Sequence, residues 1–344
     1  MTVKPVLLDA NQPERFYRGG AAIAELRGAG NAEEWGPEDW VGSTTTLFGQ
    51  HTAGLSALPG GELLRSAIEA APQAWLGAEH VAEYGPNPAL LVKLLDAGQR
   101  LPVHCHPSDA FAASHLDCRF GKTEAWVVVG TSGANPVVYV GFREDVPAEV
   151  VAAWVAGQET STMLGALNEV PVKPGDTVFV PAGLPHAIGA GVFIVELQQP
   201  TDFSVLMEWT GFAEEGDSSV HLGLGFEAAL GCVDRSGWGP GRLEPLIRHT
   251  ADQRGPSVDL LGEQSLTFFR ADRVHTESPV ELEPGFAVLV TLDGSGRLST
   301  SDGGSLELVR GNTVLVPHAA GSSRVDGDLV LVRCRPPIVG GTQS

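Results

Sequence analysis

The stretch GQRLPVHCHPSDAFAASHLDCRFGKTE, residues 98–124, contains most of a predicted metal site. His104 and His106 are two positions apart, so on a strand both imidazoles project from one face while Cys105 projects from the other. A second stretch, GDTVFVPAGLPH at residues 175–186, is a predicted strand that ends in a Pro/Gly turn with His186 just beyond it. The sequence therefore offers three imidazoles, and Glu124 adds a carboxylate.

This donor set predicts which metals the site would bind. Three neutral nitrogen ligands and one carboxylate suit a borderline divalent ion: zinc first, with manganese, iron or cobalt as alternatives. Magnesium and calcium prefer more oxygen ligands. The spacings inside the two stretches, from each opening glycine to its histidines, reproduce both halves of the cupin-barrel motif. We therefore predict a cupin-type barrel whose metal ligands are His104, His106, Glu124 and His186.

Length and composition favour two mainly β domains. The chain has 344 residues, which is long for one domain. Apolar residues make up 43% of it, and its 43 glycines and 24 prolines favour many short strands joined by turns. Both features fit small barrels better than a helical bundle.

The formal charge of −20 argues against nucleic-acid and anionic-membrane partners, since both require a cationic face. Four cysteines without Cys-x-x-Cys spacing predict reduced thiols rather than a disulfide framework. The first ten residues have no signal-peptide pattern, and no segment approaches the roughly 18 apolar residues of a membrane span. A cytoplasmic protein with a small-molecule partner is the resulting expectation.

An internal repeat predicts two cupin-type β-barrels of the jelly-roll kind. The segment GDTVFVP at residues 175–181 recurs as GNTVLVP at 311–317, where Ser322 takes the position of His186. No His-x-His pair follows residue 220, so the second barrel is predicted to be degenerate, without metal ligands. The expected domains are a metal-binding barrel at 1–210 with helical insertions near 61–95 and 146–168, a connector at 211–255, and the second barrel at 256–344.

Several ordered segments resemble type I mannose-6-phosphate isomerases. They are LLVKLLDA at 90–97, HPSD at 106–109, GKTEAW at 121–126 and QQPTD at 198–202. The resemblance spans at least residues 35–210 and is that of a divergent member. It implies a zinc-dependent cupin that interconverts mannose 6-phosphate and fructose 6-phosphate, with ligands on His106, Glu124 and His186. The fourth ligand of the family, usually glutamine, aligns with His104.

One departure from the family concerns substrate binding. The family has an active-site arginine shortly after its Gln-Gln segment, and the simplest alignment puts Leu206 there. Leucine cannot form the bidentate contacts that a guanidinium makes with phosphate. Two alternatives therefore stay open: an isomerase or related enzyme for a different, non-phosphorylated sugar, and a non-catalytic carbohydrate-sensing cupin. An oxygen-using cupin is a third, but the GKTE context argues against it.

Aldose–ketose isomerisation needs a Lewis acid and a base that moves a proton between adjacent carbons. Lys122 shares strand parity with Glu124, so it is predicted to point into the same cavity as a catalytic group. Asp202, in the QQPTD segment, is predicted as the base or as an orienting residue, with Glu208 a weaker candidate.

Three residues are predicted to contact the substrate. Ser108 follows the second histidine and has a hydroxyl that can donate to a phosphate at the rim of the metal site. Lys93 belongs to the family-like LLVKLLDA segment and can pair with an anionic group. Trp126 shares strand parity with Glu124, which predicts an indole that stacks on a sugar ring.

Overall fold

A computed structural model describes residues 3–340 as three antiparallel sheets with short helices between the strands. The strands are β1 (Val6–Leu8), β2 (Glu38–Val41), β3 (Leu91–Asp96), β4 (His104–Cys105), β5 (Glu124–Thr131), β6 (Val137–Phe142), β7 (Leu167–Pro171), β8 (Asp176–Val180), β9 (His186–Ile188), β10 (Val192–Gln198), β11 (Val205–Leu206), β12 (Ile247–His249), β13 (Ser257–Asp259), β14 (Arg270–His275), β15 (Val280–Leu282), β16 (Ala287–Thr300), β17 (Ser305–Val309), β18 (Thr313–Val316) and β19 (Ser323–Arg335). The mainly β prediction is confirmed.

The helices are short and lie mostly in the first two thirds of the chain. They are α1 (Ala21–Arg27), α2 (Leu64–Ala70), α3 (Pro72–Leu76), α4 (Ala78–Tyr84), α5 (Asp109–His115), α6 (Ala148–Gly157), α7 (Thr160–Ala166), α8 (Phe226–Ala229) and α9 (Pro240–Leu243). Helices α2 to α4 and the pair α6 and α7 fall in the two segments predicted to be helical. Within residues 3–340, no helix is both long and apolar enough to cross a membrane.

One part of the first helical prediction is wrong. Residues 91–95 form most of strand β3 instead of a helix. All six residues of β3 are buried, because neighbouring strands flank it and side chains pack on both of its faces. A strand buried on both faces reads as a continuous apolar run, which periodicity alone does not distinguish from a buried helix.

Three sheets make up the β structure. A six-stranded sheet has the order β12-β8-β5-β10-β3-β2, and a five-stranded sheet has the order β11-β4-β9-β6-β7. The third sheet has eight strands in the path β1-β18-β16-β19-β14-β13, with β15 beside β19 and β17 beside β16. Among residues 3–340 none of these paths closes into a ring, so the predicted barrels take the form of open sheets.

Buried side chains join the three sheets. The largest apolar cluster contains Val140 of the five-stranded sheet, Val195 of the six-stranded sheet and Val332 of the eight-stranded sheet. A second cluster packs the outer face of the five-stranded sheet against α6 and α7. Strands β1 and β12 pair outside their predicted domains, with β18 and β8 respectively. The domain boundaries at residues 210 and 255 stay a prediction.

The six- and five-stranded sheets position the candidate site between them. Strand β5 of the six-stranded sheet begins with Glu124. Strands β4 and β9 of the five-stranded sheet both begin with a histidine, and their register places His104 directly opposite His186. The two sheets therefore bring together residues that are far apart in the sequence.

Candidate metal centre

Three buried histidines converge at the start of β4 and β9. His104, His106 and His186 are at most 7% exposed, and their potential ligand atoms all lie within 4.8 Å of one another. The ring centroids are 4.2 to 4.9 Å apart. Among residues 3–340 this is the one group of three or more histidine, cysteine or acidic side chains with such geometry. The three histidines can therefore hold a metal ion.

Main-chain carbonyls fix the orientation of each imidazole. The Nδ1 of His104 lies 2.8 Å from the Pro102 oxygen, and the Nδ1 of His186 lies 2.7 Å from the Leu184 oxygen. The Nδ1 of His106 lies 2.7 Å from the oxygen of Phe203. A carbonyl oxygen only accepts, so each Nδ1 carries the proton and donates it. The lone pair is then on Nε2, as a metal ligand requires.

Glu124 approaches the histidines from the facing sheet. Its Oε2 lies 3.1 Å from Nε2 of His106, and its Oε1 lies 3.3 Å from Nε2 of His186. Two ligands bound at zinc distances to one tetrahedral ion lie roughly 3.3 Å apart. Within residues 3–340, Glu124 Oε2 and His186 Nε2 are buried and have no partner in hydrogen-bond geometry. Separations, donor types and unsatisfied atoms all fit a divalent cation.

Burial and charge hold these groups in the protonation states that bind a metal. Burial lowers the pKa of His104 well below its ordinary value, and the neighbouring His186 adds to this effect. Burial and then the Lys122 ammonium lower the pKa of His106 to about 3. Burial alone would raise the pKa of Glu124, but Lys122 and His106 hold it well below its ordinary value. At neutral pH His104 and His106 are therefore neutral and the Glu124 carboxylate is ionised.

Two predicted site residues contact the ligand set directly. The Nζ of Lys122 lies 2.9 Å from Nε2 of His106 and 3.0 Å from Oε2 of Glu124. Trp126 is fully buried, and its Nε1 donates a 2.9 Å hydrogen bond to Oε1 of Glu124. With no exposed ring face, Trp126 orients the carboxylate instead of offering a surface for the sugar stacking predicted for it.

A second layer of charged groups surrounds this set. Lys93 is 2% exposed and lies 3.2 Å from Oε2 of Glu38 and 3.3 Å from Oε2 of Glu196. Glu38 also accepts from Tyr17 at 2.6 Å and from Trp40 at 2.7 Å. Burial and the charge of Glu124 raise the pKa of Glu196 to about 7. Lys93 thus lines the pocket but is held by two carboxylates, and its predicted contact with the substrate stays a prediction.

The remaining predicted residues lie at the edge of the pocket or outside it. Asp202 lines the pocket, where it pairs with Arg15. Ser108 is exposed and caps α5 by accepting from the Phe111 amide, and it is not part of the pocket wall. The weaker candidate Glu208 forms a bidentate pair with Arg100 away from the pocket. The catalytic and substrate-binding roles assigned to these residues stay predictions.

Sequence reasoning missed three charged residues of the pocket wall. Glu38 and Arg15 come from the first 40 residues, which contain no recognised motif. Glu196 had a usable signal, because it is the one acidic residue in the buried strand VFIVELQ of β10. A carboxylate in an otherwise apolar buried strand is costly unless paired, and such a residue points to a functional site.

The pocket has a narrow inner part and a wider mouth. The inner cavity, about 30 Å³, is lined by His104, Lys122, Glu124 and Glu196 among others. The mouth, about 190 Å³, is lined by Phe48, Phe212 and other residues. Arg15 and Leu206 belong to both walls. Phe16, Asp202 and Ser204 also belong to both walls, so a ligand that extends from the mouth into the inner cavity passes these five side chains.

Comparison with known proteins gives one consistent result. The mannose-6-phosphate isomerase of Streptococcus mutans is 26% identical over 343 residues, 96% of this chain and 97% of that protein. The crystal structure of the mannose 6-phosphate isomerase from Bacillus subtilis matches with a TM-score of 0.74 at 20% identity, covering 97% of this chain and all of that one. A mannose 6-phosphate isomerase structure bound with zinc and yttrium matches with a TM-score of 0.73 at 17% identity, covering 98% of this chain and all of that one. No protein-family model matches the chain.

These matches define the class first. The fold is similar to that of the mannose-6-phosphate isomerase structures, and in this chain a buried histidine cluster lies between two of its antiparallel sheets. The sequence match then confirms the resemblance along nearly the whole chain, which is similar to the mannose-6-phosphate isomerases at 24% to 30% identity.

Proposed function

We propose that this chain is a metal-dependent aldose–ketose isomerase that interconverts mannose 6-phosphate and fructose 6-phosphate. The observation that carries the proposal is the convergence of three imidazole Nε2 atoms and the Glu124 carboxylate in one buried cluster, with the Lys122 ammonium against it. The ligands would be His104, His106, Glu124 and His186. Zinc is the first candidate for the metal, because it favours four nitrogen and oxygen ligands.

The chemistry divides between the metal and the side chains around it. When bound, a divalent ion would polarise the substrate carbonyl and stabilise negative charge on its oxygen. Lys122 places a second positive charge within 3.0 Å of Glu124 and so lies where a substrate oxygen would gain charge. Trp126 fixes Glu124 through its indole N–H, which keeps the carboxylate aimed at the histidines.

Glu196 is the better supported candidate for moving the proton. It lines the inner cavity, and its buried Oε2 lies 3.3 Å from the Lys93 ammonium without a partner in hydrogen-bond geometry among residues 3–340. A carboxyl group with a pKa of about 7 suits a base that both accepts and returns a proton at neutral pH. Asp202 is a weaker candidate, because Arg15 and the Phe48 amide already engage its carboxylate.

One observation favours a second candidate function. Leu206 lines the pocket where a guanidinium would serve a phosphorylated substrate, so the same chemistry on a non-phosphorylated sugar is the alternative. A carbohydrate-sensing protein without turnover would keep the metal site and fail every activity assay.

A coupled assay tests the proposal. Zinc-loaded protein is given mannose 6-phosphate, free mannose or free fructose in parallel. We expect turnover of mannose 6-phosphate and of neither free sugar. Glu124→Ala should abolish it, while Glu83→Ala, which removes an exposed carboxylate paired with Arg119, should leave it unchanged. Turnover of the free sugars alone would select the alternative substrate, and no turnover of any sugar would refute the isomerase.

A further inference from the structure

Arg15 lies at the junction of the two parts of the pocket. Its side chain is 11% exposed and lines both the inner cavity and the mouth. Among the described residues that line the mouth, Arg15 is the one cation. Lys93 and Lys122 line only the inner cavity, where carboxylates already pair with them.

The cavity volumes determine where a substrate would lie. The inner cavity of about 30 Å³ has room for an ion or a single water, not for a sugar. A substrate that extends an oxygen toward the histidines must therefore keep most of its atoms in the mouth. Arg15 and Leu206 are then its neighbours, and only Arg15 can bind an anion.

Arg15 is held from the inner side and loosely bound on the outer side. Its Nε donates to Glu38 at 3.1 Å, and Glu38 is itself fixed by Tyr17 and Trp40. Its two terminal nitrogens each lie 3.3 Å from an oxygen of Asp202. All three contacts are longer than the 2.7–2.9 Å typical of charge-assisted hydrogen bonds, and the two to Asp202 are the longest.

A second bidentate pair in the chain shows the difference. The terminal nitrogens of Arg100 lie 2.7 and 2.6 Å from the oxygens of Glu208. Glu208 also accepts from the Val103 amide, so that pair fixes the main chain beside β4. The Arg15–Asp202 pair is longer at both contacts, and it faces the cavity that the substrate must occupy.

We propose that Arg15 binds the anionic group of the substrate, which under the proposed function is its phosphate, and that this group replaces Asp202 on the outer edge of the guanidinium. A carboxylate and a phosphate present the same pair of oxygens to that edge. Asp202 therefore occupies the anion position in the free protein. Arg15, from the N-terminal segment, supplies the bidentate guanidinium that the chain lacks at Leu206.

Binding of a non-reacting probe tests this inference separately from turnover. Calorimetry measures the affinity of the zinc-loaded full-length protein for mannitol 6-phosphate, which has no carbonyl, and for mannitol. Arg15→Gln should weaken binding of the phosphate about 10- to 100-fold, the range for hydrogen bonds to a charged group. Arg15→Lys should lose less, because it keeps the charge but not the fork. Binding of mannitol should not change.

The opposite variant gives a result that misfolding cannot imitate. Asp202→Asn removes the competing charge, so mannitol 6-phosphate should bind more tightly than to the unmodified protein. In the Arg15→Gln background, Leu206→Arg should restore part of the lost affinity. Zinc content and melting temperature are measured for every variant to show that the site is intact.

Arg65 is the matched control. It lines a separate cavity of about 530 Å³ that shares the wall formed by Phe48 and Asp202. Arg65→Gln should leave binding unchanged; a loss there, with Arg15→Gln unaffected, would overturn the proposal. Failure of the unmodified protein to bind mannitol 6-phosphate would also overturn it. Tight, Arg15-dependent binding without isomerase turnover would refute the proposed function and leave the role of Arg15 standing.

Discussion

Two segments with the pattern Gly-x-Thr-Val-x-Val-Pro, residues 175–181 and 311–317, have the same local structure and lead to different ends. Each opens on a glycine with left-handed φ, 91° at Gly175 and 87° at Gly311, and continues as a strand, β8 or β18. After the proline the first segment turns into β9, which begins with His186. The second forms the 3-10 helix His318–Ala320 and then enters β19.

The difference separates what the fold requires from what the site requires. Both copies keep the glycine, the threonine and the apolar strand, because the strand must start in a tight turn and be buried. Only the first copy is followed by a strand that pairs with β4 and so brings His186 opposite His104. The position of the predicted ligand His186 depends on how the next strand pairs. The repeated segment itself supplies only the turn and the buried strand before it.

The largest expected effect comes from giving the first copy the residue of the second. His186→Ser removes one of the clustered imidazoles, so zinc content should fall well below one per chain and turnover should fall at least about 1000-fold. The measurements are metal analysis by mass spectrometry and the coupled assay. The reverse change, Ser322→His, should affect neither, because Ser322 precedes β19 of the eight-stranded sheet, whereas His104 and His186 lie on the five-stranded sheet. A His186→Ser protein with full zinc content would show that the other ligands suffice.

Substitutions at Gly175 and Gly311 test whether the two turns tolerate a side chain equally. A Cβ at Gly311 would overlap the Leu26 carbonyl oxygen, and one at Gly175 would lie 2.6 Å from the Cβ of Ala251. With positive φ as well, Gly311→Ala should lower the free energy of unfolding by about 2–3 kcal/mol. Gly175→Ala should cost somewhat less, because its nearest contact is longer and is with a side-chain methyl instead of a main-chain oxygen. Urea denaturation measures both, and equal stability of either variant to the unmodified protein would show that the backbone relaxes.

The histidine site also depends on the indole of Trp126, which lies on β5 beside β8. Trp126→Phe keeps the packing but removes the donor to Glu124, so zinc affinity should fall about 10- to 100-fold while the fold persists. Competition with a chelator of known affinity measures this loss. A matched control is Trp238→Phe, which removes a similar indole bond to Asp234, an acceptor outside the predicted ligand set. Comparable zinc loss in both variants would contradict the assigned role.

The threonines of the two copies should give the smallest and most equal effects. Thr177 donates to the Leu260 oxygen at 2.7 Å, and Thr313 donates to the Leu8 oxygen at 3.3 Å. Thr177→Val leaves the Leu260 oxygen without this donor, and Thr313→Val removes one of two side-chain donors to the Leu8 oxygen together with an acceptor of Arg27 Nη2. Each replacement should cost about 1 kcal/mol. Thermal denaturation measures the loss. Zinc content should not change in either variant, and a drop in zinc for Thr177→Val would mean that the buried strand and the site are not separable.

The sequence predicted what depends on local spacing. Two histidines on one strand face and the Pro/Gly turn before His186 follow from neighbouring residues, and the structure brings these three imidazoles together. The mainly β fold was likewise evident from the turns and short apolar runs. The helix expected over residues 91–95 failed because burial on both faces hides the strand period.

What the sequence could not show depends on distant pairings. Arg15 meets Asp202 across 187 positions of sequence, and no periodicity links them. Parity correctly predicted that Lys122 would approach Glu124. It could not predict that the indole of Trp126 would be covered on all sides, since that depends on which sheet packs over β5.

The acceptors that orient the three imidazoles have a consequence for how such a site can change over evolutionary time. All three are main-chain oxygens, at Pro102, Leu184 and Phe203, so no single side-chain replacement deletes one of them. In sites where carboxylate side chains orient the histidines, a single substitution can remove the hydrogen-bond acceptor. Side chains around the cluster can therefore be replaced, and new substrate contacts can arise there, while the orientation of the three imidazoles is preserved.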